Sequence, residues 1–205
     1  MRHDARPLLH PMAIAELRPT QMTVGLREVQ RKRAELEHLR SEQEREFLGN
    51  HMIPVVIGPK KRAYIFDNHH LTRALHDEGI SHILTCQIAQ LDHLGQDEFQ
   101  RHMENRNWLR LYDADGARRG FDALPKSVAG LADDPYRSIA GDVRRAGGYA
   151  KNETPYAEFL WADHLRSRIK RKLVDKDYEA ALVRAMDLVR ERAADYLPGW
   201  CGIDN

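Results

Sequence analysis

The sequence is poor in cysteine and contains no long apolar run. Its 205 residues include two cysteines, Cys86 and Cys201, which match no metal-ligand spacing and suit buried or idle thiols in a reducing compartment. No apolar stretch approaches the ~20 residues that a membrane-spanning helix needs. The N-terminal residues also lack the apolar core of a signal peptide. We therefore expect a cytoplasmic protein with no membrane partner.

An excess of charge of one sign is also missing. Charged residues make up 31% of the chain, yet the formal net charge is +1. A dedicated DNA-binding protein usually carries a clear basic excess, often concentrated on one face. The charge balance therefore disfavours DNA as a partner.

Periodicity in the sequence predicts an α+β fold. Short β-branched and aromatic runs at 55–57 and 64–66, separated by Gly, Pro and basic residues, predict a β-hairpin. A strand and turn are expected at 8–17 and a further strand at 80–91. Apolar residues at helical spacing predict the remaining elements, namely helices at 27–47, 69–78, 97–111, 136–145, 155–172 and 175–196. We expect a small mixed sheet within residues 1–110, followed by a mainly helical extension at 111–205.

One stretch combines a strand end, a helix start and several reactive side chains. Residues 67–75 read Asp-Asn-His-His-Leu-Thr-Arg-Ala-Leu, with Asp67 or Asn68 placed to cap the helix. His69 and His70 then fall in the first turn, where backbone N–H groups and the positive end of the helix dipole favour phosphates and carboxylates. This turn is a candidate site for a phosphate, a metal ion or both.

The same block resembles the phosphate-binding loop of the ParB/sulfiredoxin superfamily. It is most similar to the loop of the ParB-like free-serine kinases, which is close to Asp-Gly-His-His-Arg. Asn68 stands where that loop has glycine, and Leu71 where it has a phosphate-gripping arginine. The chain as a whole resembles the "putative ParB-like nuclease" group over roughly residues 8–170. Further marks of the resemblance are the segments 19–21, 54–59, 133–138 and 158–162.

The resemblance, together with the residue chemistry, implies a set of site residues. Asp67, His69 and His70 are the candidate catalytic residues, and Asp67 and Asp134 are the candidate magnesium ligands, since a hard cation prefers carboxylate oxygen. A nucleotide (ATP, ADP or CTP) or another small phosphorylated ligand is the expected partner. The candidate ligand-binding residues are Gln21, Asn68, Arg73, Arg137 and Ser138.

Each candidate also has a structural interpretation. Asp67 satisfies the requirements of a simple cap, and Arg73 is spaced to pair with Asp77. Adjacent histidines cannot share one helix face, so one of them is expected to bind while the other packs. Asp134, at the start of a helix beginning with Pro135, can cap it.

Two further positions bear on the chemistry. The segment 19–21 occupies the region where the resemblance to the serine kinases implies a catalytic glutamate, and the amide of Gln21 cannot act as a general base near neutral pH. His164 and Arg168 are four residues apart on a predicted helix, where they line a cleft or form a solvated polar stripe. Trp161 on the same helix either lines that cleft or belongs to the core.

The leading hypothesis is an enzyme that catalyses phosphoryl transfer or phosphate-ester hydrolysis on a small molecule. One alternative is a DNA-associated, partitioning-type nucleotide switch, which the charge balance and the lack of a recognisable helix-turn-helix disfavour. The other alternative is a nuclease.

Overall fold

A computed structural model of the chain describes residues 8–38 and 51–202. The described residues divide into two compact units. The first comprises those within 8–24 and 29–132, and the second comprises 25–28 together with residues from 133 onward. Among the described residues, no helix is long and apolar enough to cross a membrane.

A five-stranded mixed sheet, with strand order β1-β6-β4-β5-β2, forms the centre of the first unit. β6 pairs antiparallel with β1 and parallel with β4, while β5 pairs antiparallel with β4 and parallel with β2. The predicted mixed sheet and hairpin are both confirmed. The strands within the described residues are β1 (Leu8–Ala13), β2 (Arg18–Pro19), β3 (Thr23–Val24), β4 (Ile53–Gly58), β5 (Arg62–Ile65), β6 (His82–Gln90) and β7 (Ala132–Asp133).

The helices follow the predicted order but several are shorter than predicted. They are α1 (Leu26–Glu37), α2 (His69–Asp77), α3 (Gln96–Asn105), α4 (Pro135–Arg145), α5 (Ala157–Arg166), α6 (Arg171–Lys176) and α7 (Tyr178–Arg190). The predicted ends of α2 and α4 are confirmed, because Gly79 and Gly147 follow them with positive φ angles of 76° and 80°. Residues 39–47 of the first predicted helix lie outside the described part of the chain.

The predicted bounds of three helices are wrong. The helix predicted at 97–111 ends at Asn105, and Asn107 then adopts a left-handed conformation with φ of 55°. The helix predicted at 155–172 is divided, since residues 167–170 separate α5 from α6. The helix predicted to reach residue 196 ends at Arg190 and is followed by a short 3-10 turn.

One face of the sheet is covered by α3. The Tyr64 ring lies 4.8 Å from Phe99, centroid to centroid, and both belong to an apolar cluster with Val56 and Met103. Side chains alternate across a strand, so Ile65 points to the opposite face from Tyr64. The end of β5 therefore contributes to both faces before the chain turns into α2.

A separate apolar core holds the second unit together. It is built mainly from α4, α5 and α7 around Trp161, which is fully buried. Trp161 stacks on Tyr149 at 4.4 Å, and its indole N–H donates to the Pro198 carbonyl over 2.9 Å. Trp161 is thus a core residue, the second of the two alternatives that the sequence left open.

Candidate functional site

The turn into α2 is shaped by a left-handed residue. Asn68 has φ 60° and ψ 28°, and its carbonyl accepts hydrogen bonds of 2.9 Å from both the N–H and the hydroxyl of Thr72. Asp67 Oδ1 accepts the Asn68 N–H over 2.7 Å. The Asn68 side chain makes no capping bond. Asn68 is therefore the N-cap residue by position, but its side chain does not cap the first helical turn.

The left-handed conformation of Asn68 explains why asparagine can stand where the related loops have glycine. A left-handed φ is open to glycine, and among other residues it is most accessible to Asn and Asp. Asn68 preserves the backbone conformation that glycine would allow, and its exposed side chain faces no steric restriction from a packed core. The replacement is thus compatible with an unchanged turn.

His69 is directed into the first unit. Only 4% of the residue is exposed, and its Nε2 accepts the backbone N–H of Thr20 over 3.2 Å. A ring nitrogen that accepts a hydrogen bond carries no proton, so this arrangement requires neutral imidazole. The Thr20 hydroxyl in turn donates to the Ile65 carbonyl over 2.9 Å. His69 therefore ties the start of α2 to the segment after β2.

His70 and Asp67 remain at the surface of the turn. Asp67 is exposed and His70 is partly buried, whereas their neighbour His69 is in the interior. The difference between the two histidines follows from the 100° rotation between adjacent helical residues. Only Asp67 and His70 of the three candidate catalytic residues lie where a ligand from solvent can reach them.

Arg73 is held by its own unit. Its Nε donates to both Asp77 oxygens over 2.9 and 3.0 Å. Its Nη1 donates to the carbonyls of Val128, Ala129 and Leu131 over 3.0 to 3.3 Å. The structure thus shows the pairing with Asp77, and adds an attachment to residues 128–131 that the sequence did not reveal.

Gln21 lies beside the same turn without facing solvent. It is 6% exposed, and its Nε2 donates to the Thr23 carbonyl over 2.9 Å. A single parallel β-bridge joins Gln21 to Arg110, and the Arg110 N–H donates to the Thr20 carbonyl over 2.9 Å. Arg110 was missed at the sequence level because it falls in the stretch wrongly predicted as helix. Asn107 is the signal that could have marked the helix end, because asparagine adopts the left-handed conformation more readily than other non-glycine residues.

The remaining candidates lie in the second unit and have structural partners there. Asp134 is 2% exposed; Oδ1 accepts the Tyr136 N–H over 3.1 Å and caps α4, while Oδ2 pairs with Arg166. Burial raises the pKa of the Asp134 carboxyl, and the charges of Arg166 and Arg137 oppose that rise. Both carboxylate oxygens are engaged, which favours the capping interpretation over metal ligation.

Arg137 and Ser138 occupy the first turns of the same helix. The Arg137 guanidinium lies 3.9 Å from the centre of the Phe159 ring, and both Arg137 and Ser138 are at least 95% buried. A Cβ on Gly25 would come within 2.7 Å of Ser138 Oγ, so the position requires glycine. These contacts use the two side chains to pack the second unit.

The donors available for magnesium at the turn are few. Within residues 8–38 and 51–202, no group of three or more His, Cys, Asp or Glu side chains is arranged to hold a metal ion. Asp67 offers Oδ2, since Oδ1 is bonded to the backbone. Magnesium is often held by one or two carboxylates together with substrate phosphates. The donor set at the turn therefore fits an ion that arrives with a phosphorylated ligand.

Comparisons with a family model and with solved structures both found matches to this chain. A family model described as "Putative ParB-like nuclease" matches residues 10–167. The crystal structure of protein Atu1540 from Agrobacterium tumefaciens is similar over 97% of this chain and 100% of that one, with 49% identity and a TM-score of 0.89. Among curated proteins, none matches the chain.

Proposed function

The chain belongs to the family described as "putative ParB-like nuclease", and we propose that it is an enzyme that binds a phosphate group at the first turn of α2 and hydrolyses a phosphate ester. The family description is compatible with hydrolysis. The proposal names the turn, the residues that act there and a small phosphorylated molecule, such as ATP, ADP or CTP, as the ligand.

The observation that carries the proposal is the form of the turn itself. A left-handed Asn68 starts α2, and its side chain makes no capping hydrogen bond to the helix end. The first N–H groups of any helix lack partners within the helix and lie at its positive end, where they favour an anion. An exposed Asp67 and a partly buried His70 flank the same point. The turn thus combines an anion site with a carboxylate and an imidazole.

Hydrolysis at this turn would use few protein groups. Water attacks phosphorus and gives up one proton to a phosphoryl oxygen or to solvent, the bond to the ester oxygen breaks, and the leaving oxygen takes a proton. In this proposal His70 either donates a hydrogen bond to the phosphoryl group or donates the proton to the leaving oxygen. His69 is a positioning residue, because its hydrogen bond with the Thr20 N–H fixes the start of α2. When bound, magnesium would neutralise phosphate charge, with Asp67 as its protein ligand.

Gln21 weakens the case for serine-kinase-like transfer. The serine kinases have a catalytic glutamate in this region, and an amide does not serve as a general base. Gln21 is moreover buried and donates to Thr23. We leave Asp134, Arg137 and Ser138 out of the proposed site because their side chains cap and pack the second unit.

Ligand-induced thermal stabilisation tests the proposal. Phosphate, ADP, ATP and CTP are each titrated with and without magnesium, and a ligand at a hundred times its dissociation constant should add about 2.7 kcal/mol to the free energy of unfolding.

The variant Asp67→Asn tests the role of the carboxylate, because it keeps the oxygen that accepts the Asn68 N–H but removes the charge. It should melt close to the parent and lose the magnesium-dependent part of the shift. His76→Gln, near the other end of α2, is the matched control. No shift with any ligand, or equal shifts in parent and Asp67→Asn, contradicts the proposal.

Retention of duplex DNA separates this proposal from the DNA-associated alternative. Sequence-independent binding needs several phosphate contacts and weakens steeply with salt, and a formal net charge of +1 offers little electrostatic attraction. We expect no shifted band near physiological salt. Tight, salt-sensitive retention would favour a nuclease or a partitioning-type switch instead.

A further inference from the structure

An open groove lies within the first unit on the sheet face covered by α3. Its volume is about 720 Å³, and the groove runs between β2, β5, the start of α3 and the segment 121–126. The side chains that matter for the argument are those of Arg18, Arg62, Tyr64, Phe121, Leu124 and Lys126. We call this feature the α3 groove. None of the residues of the α2 turn lines it.

Three cations border the α3 groove without being neutralised. Within the described part of the chain, Arg18, Arg62 and Lys126 make no ion pair or hydrogen bond through their side chains. Other arginines of the first unit are paired, such as Arg33 with Glu78 and Arg73 with Asp77. Three unpaired cations around one concave surface raise the local positive potential and attract an anion.

The floor of the α3 groove is apolar and aromatic. The rings of Tyr64 and Phe121 have centroids 6.3 Å apart, and Leu124 lies partly buried beside them. Tyr64 is held from behind by Phe99, so the floor is continuous with the apolar cluster beneath α3. Tyr64 is only 5% exposed, so a flat apolar body laid on this floor would cover mainly the partly exposed ring of Phe121.

Two carboxylates limit what the groove accepts. Asp97 and Asp122 also line it. Together with the three cations, they give the groove a formal charge of +1. A polyanion such as single-stranded nucleic acid would meet both carboxylates along its length, whereas a ligand with one anionic group can approach the cations alone. The volume is also in the range of small-molecule sites, roughly 300–1,000 Å³.

We propose that the α3 groove binds a small organic anion with a flat apolar body, at a site separate from the phosphate turn. The anionic group lies between Arg18, Arg62 and Lys126, and the apolar body lies on Tyr64 and Phe121. Arginine suits this role because its planar guanidinium donates paired hydrogen bonds to an anionic group.

Binding of 8-anilinonaphthalene-1-sulfonate, which joins a sulfonate to an aromatic body, tests the proposal by fluorescence titration of the folded protein. N-phenyl-1-naphthylamine has the same body without the charge. We expect saturable binding of the sulfonate, weakened about ten-fold by Arg62→Gln, a change of the size expected for one charged hydrogen bond. The neutral analogue should bind Arg62→Gln and the parent equally. Phe121→Ala should weaken both probes.

Arg101→Gln is the matched control, because Arg101 is an exposed arginine of α3 that does not line the groove. Arg62 is itself exposed, so its replacement should leave the melting temperature unchanged even if Phe121→Ala lowers it. The proposal is overturned by any of three results. These are no saturable binding of the sulfonate, equal affinity in Arg62→Gln and the parent, or displacement of the probe by a single-stranded oligonucleotide at lower concentration than by small aromatic carboxylates.

Discussion

His69 and His70 are neighbours in sequence with different environments. Their adjacency predicts that only one of them packs, but the choice depends on Thr20, which is 49 residues away and donates its N–H to His69. A hydrogen bond between such distant residues leaves no local signal in the sequence. The chemistry available at the turn was therefore predictable, while the division of roles between the two imidazoles was not.

Replacing the two histidines separately should give different outcomes. His69→Ala leaves the Thr20 N–H buried without an acceptor, which costs about 1–3 kcal/mol in the free energy of unfolding, and opens a cavity that adds to the loss. His70→Gln should stay within about 0.5 kcal/mol of the parent while weakening phosphate binding. Urea unfolding and ligand-induced thermal shifts measure the two effects. Similar stability losses in both variants would contradict the assignment of His69 as the positioning residue.

His164 is a second histidine whose environment the sequence did not settle. It is 3% exposed, and its Nδ1 lies 3.2 Å from the Tyr196 hydroxyl, so the solvated stripe suggested by its spacing to Arg168 is wrong for His164. Its Nε2 is buried and has no hydrogen-bond partner within the described residues. Burial, with a smaller contribution from the charge of Arg168, lowers the pKa of His164.

The lowered pKa of His164 predicts a dependence of stability on pH. As pH falls below about 6.5, the ordinary histidine pKa, the unfolded chain takes up this proton while the folded chain does not. The free energy of unfolding therefore falls, by at most about 1.4 kcal/mol per pH unit for one proton, until the folded pKa is reached. His164→Gln should show a shallower decline between pH 6.5 and 5 in urea titrations. Parallel curves for parent and variant would show that His164 does not contribute.

Secondary-structure elements whose bounds depend on nearby residues were predictable from the sequence. The end of a helix that is set by pairing with a distant segment was not. The hairpin and the start of α2 follow from β-branched runs, a Gly-Pro turn and helical spacing. The end of α3 is different, because residues 106–111 contain neither Gly nor Pro and read as helix. Arg110 instead pairs with the segment around Gln21, and this long-range bridge replaces helical hydrogen bonds.

At the scale of the element, Arg73 attaches α2 to residues 128–131. Arg73→Lys keeps the charge but cannot reproduce the planar set of donors to Asp77 and to three carbonyls. We expect a loss of about 1–3 kcal/mol and faster amide hydrogen exchange at 128–131. Arg101→Lys, an exposed arginine on α3, serves as the control and should change neither. Unchanged exchange at 128–131 in Arg73→Lys would show that other contacts hold this segment.

The whole molecule has an organisation that composition does not reveal. Residues 25–28 belong to the second unit although they precede most of the first. The Leu26 N–H donates to Asp133 over 2.9 Å, Glu28 pairs with Arg145 at 2.6 Å, and the Arg27 guanidinium lies 3.5 Å from the Tyr178 ring centre. Each contact joins ordinary surface residue types, so no motif identifies the segment in advance.

Separating the chain at residue 132 should therefore leave the later fragment incomplete. A fragment of residues 133–205 lacks Gly25 to Glu28 and the contacts that they make, and we expect a weak, non-cooperative thermal transition by circular dichroism. Adding fragment 1–132, which carries those residues, should restore a cooperative transition. A fragment 133–205 that melts cooperatively and at the same temperature alone as in the mixture would show that residues 25–28 are dispensable.

The placement of residues 25–28 also sets an order of events during synthesis on the ribosome. Leu26 is made 107 residues before Asp133, and Glu28 is made 117 residues before Arg145. At translation rates of about 5–20 residues per second, that separation corresponds to a wait of about 5–25 s. All strands of the five-stranded sheet have been made before Asp133, since the last of them ends at Gln90. The sheet can thus form while residues 25–28 still await their partners in the second unit.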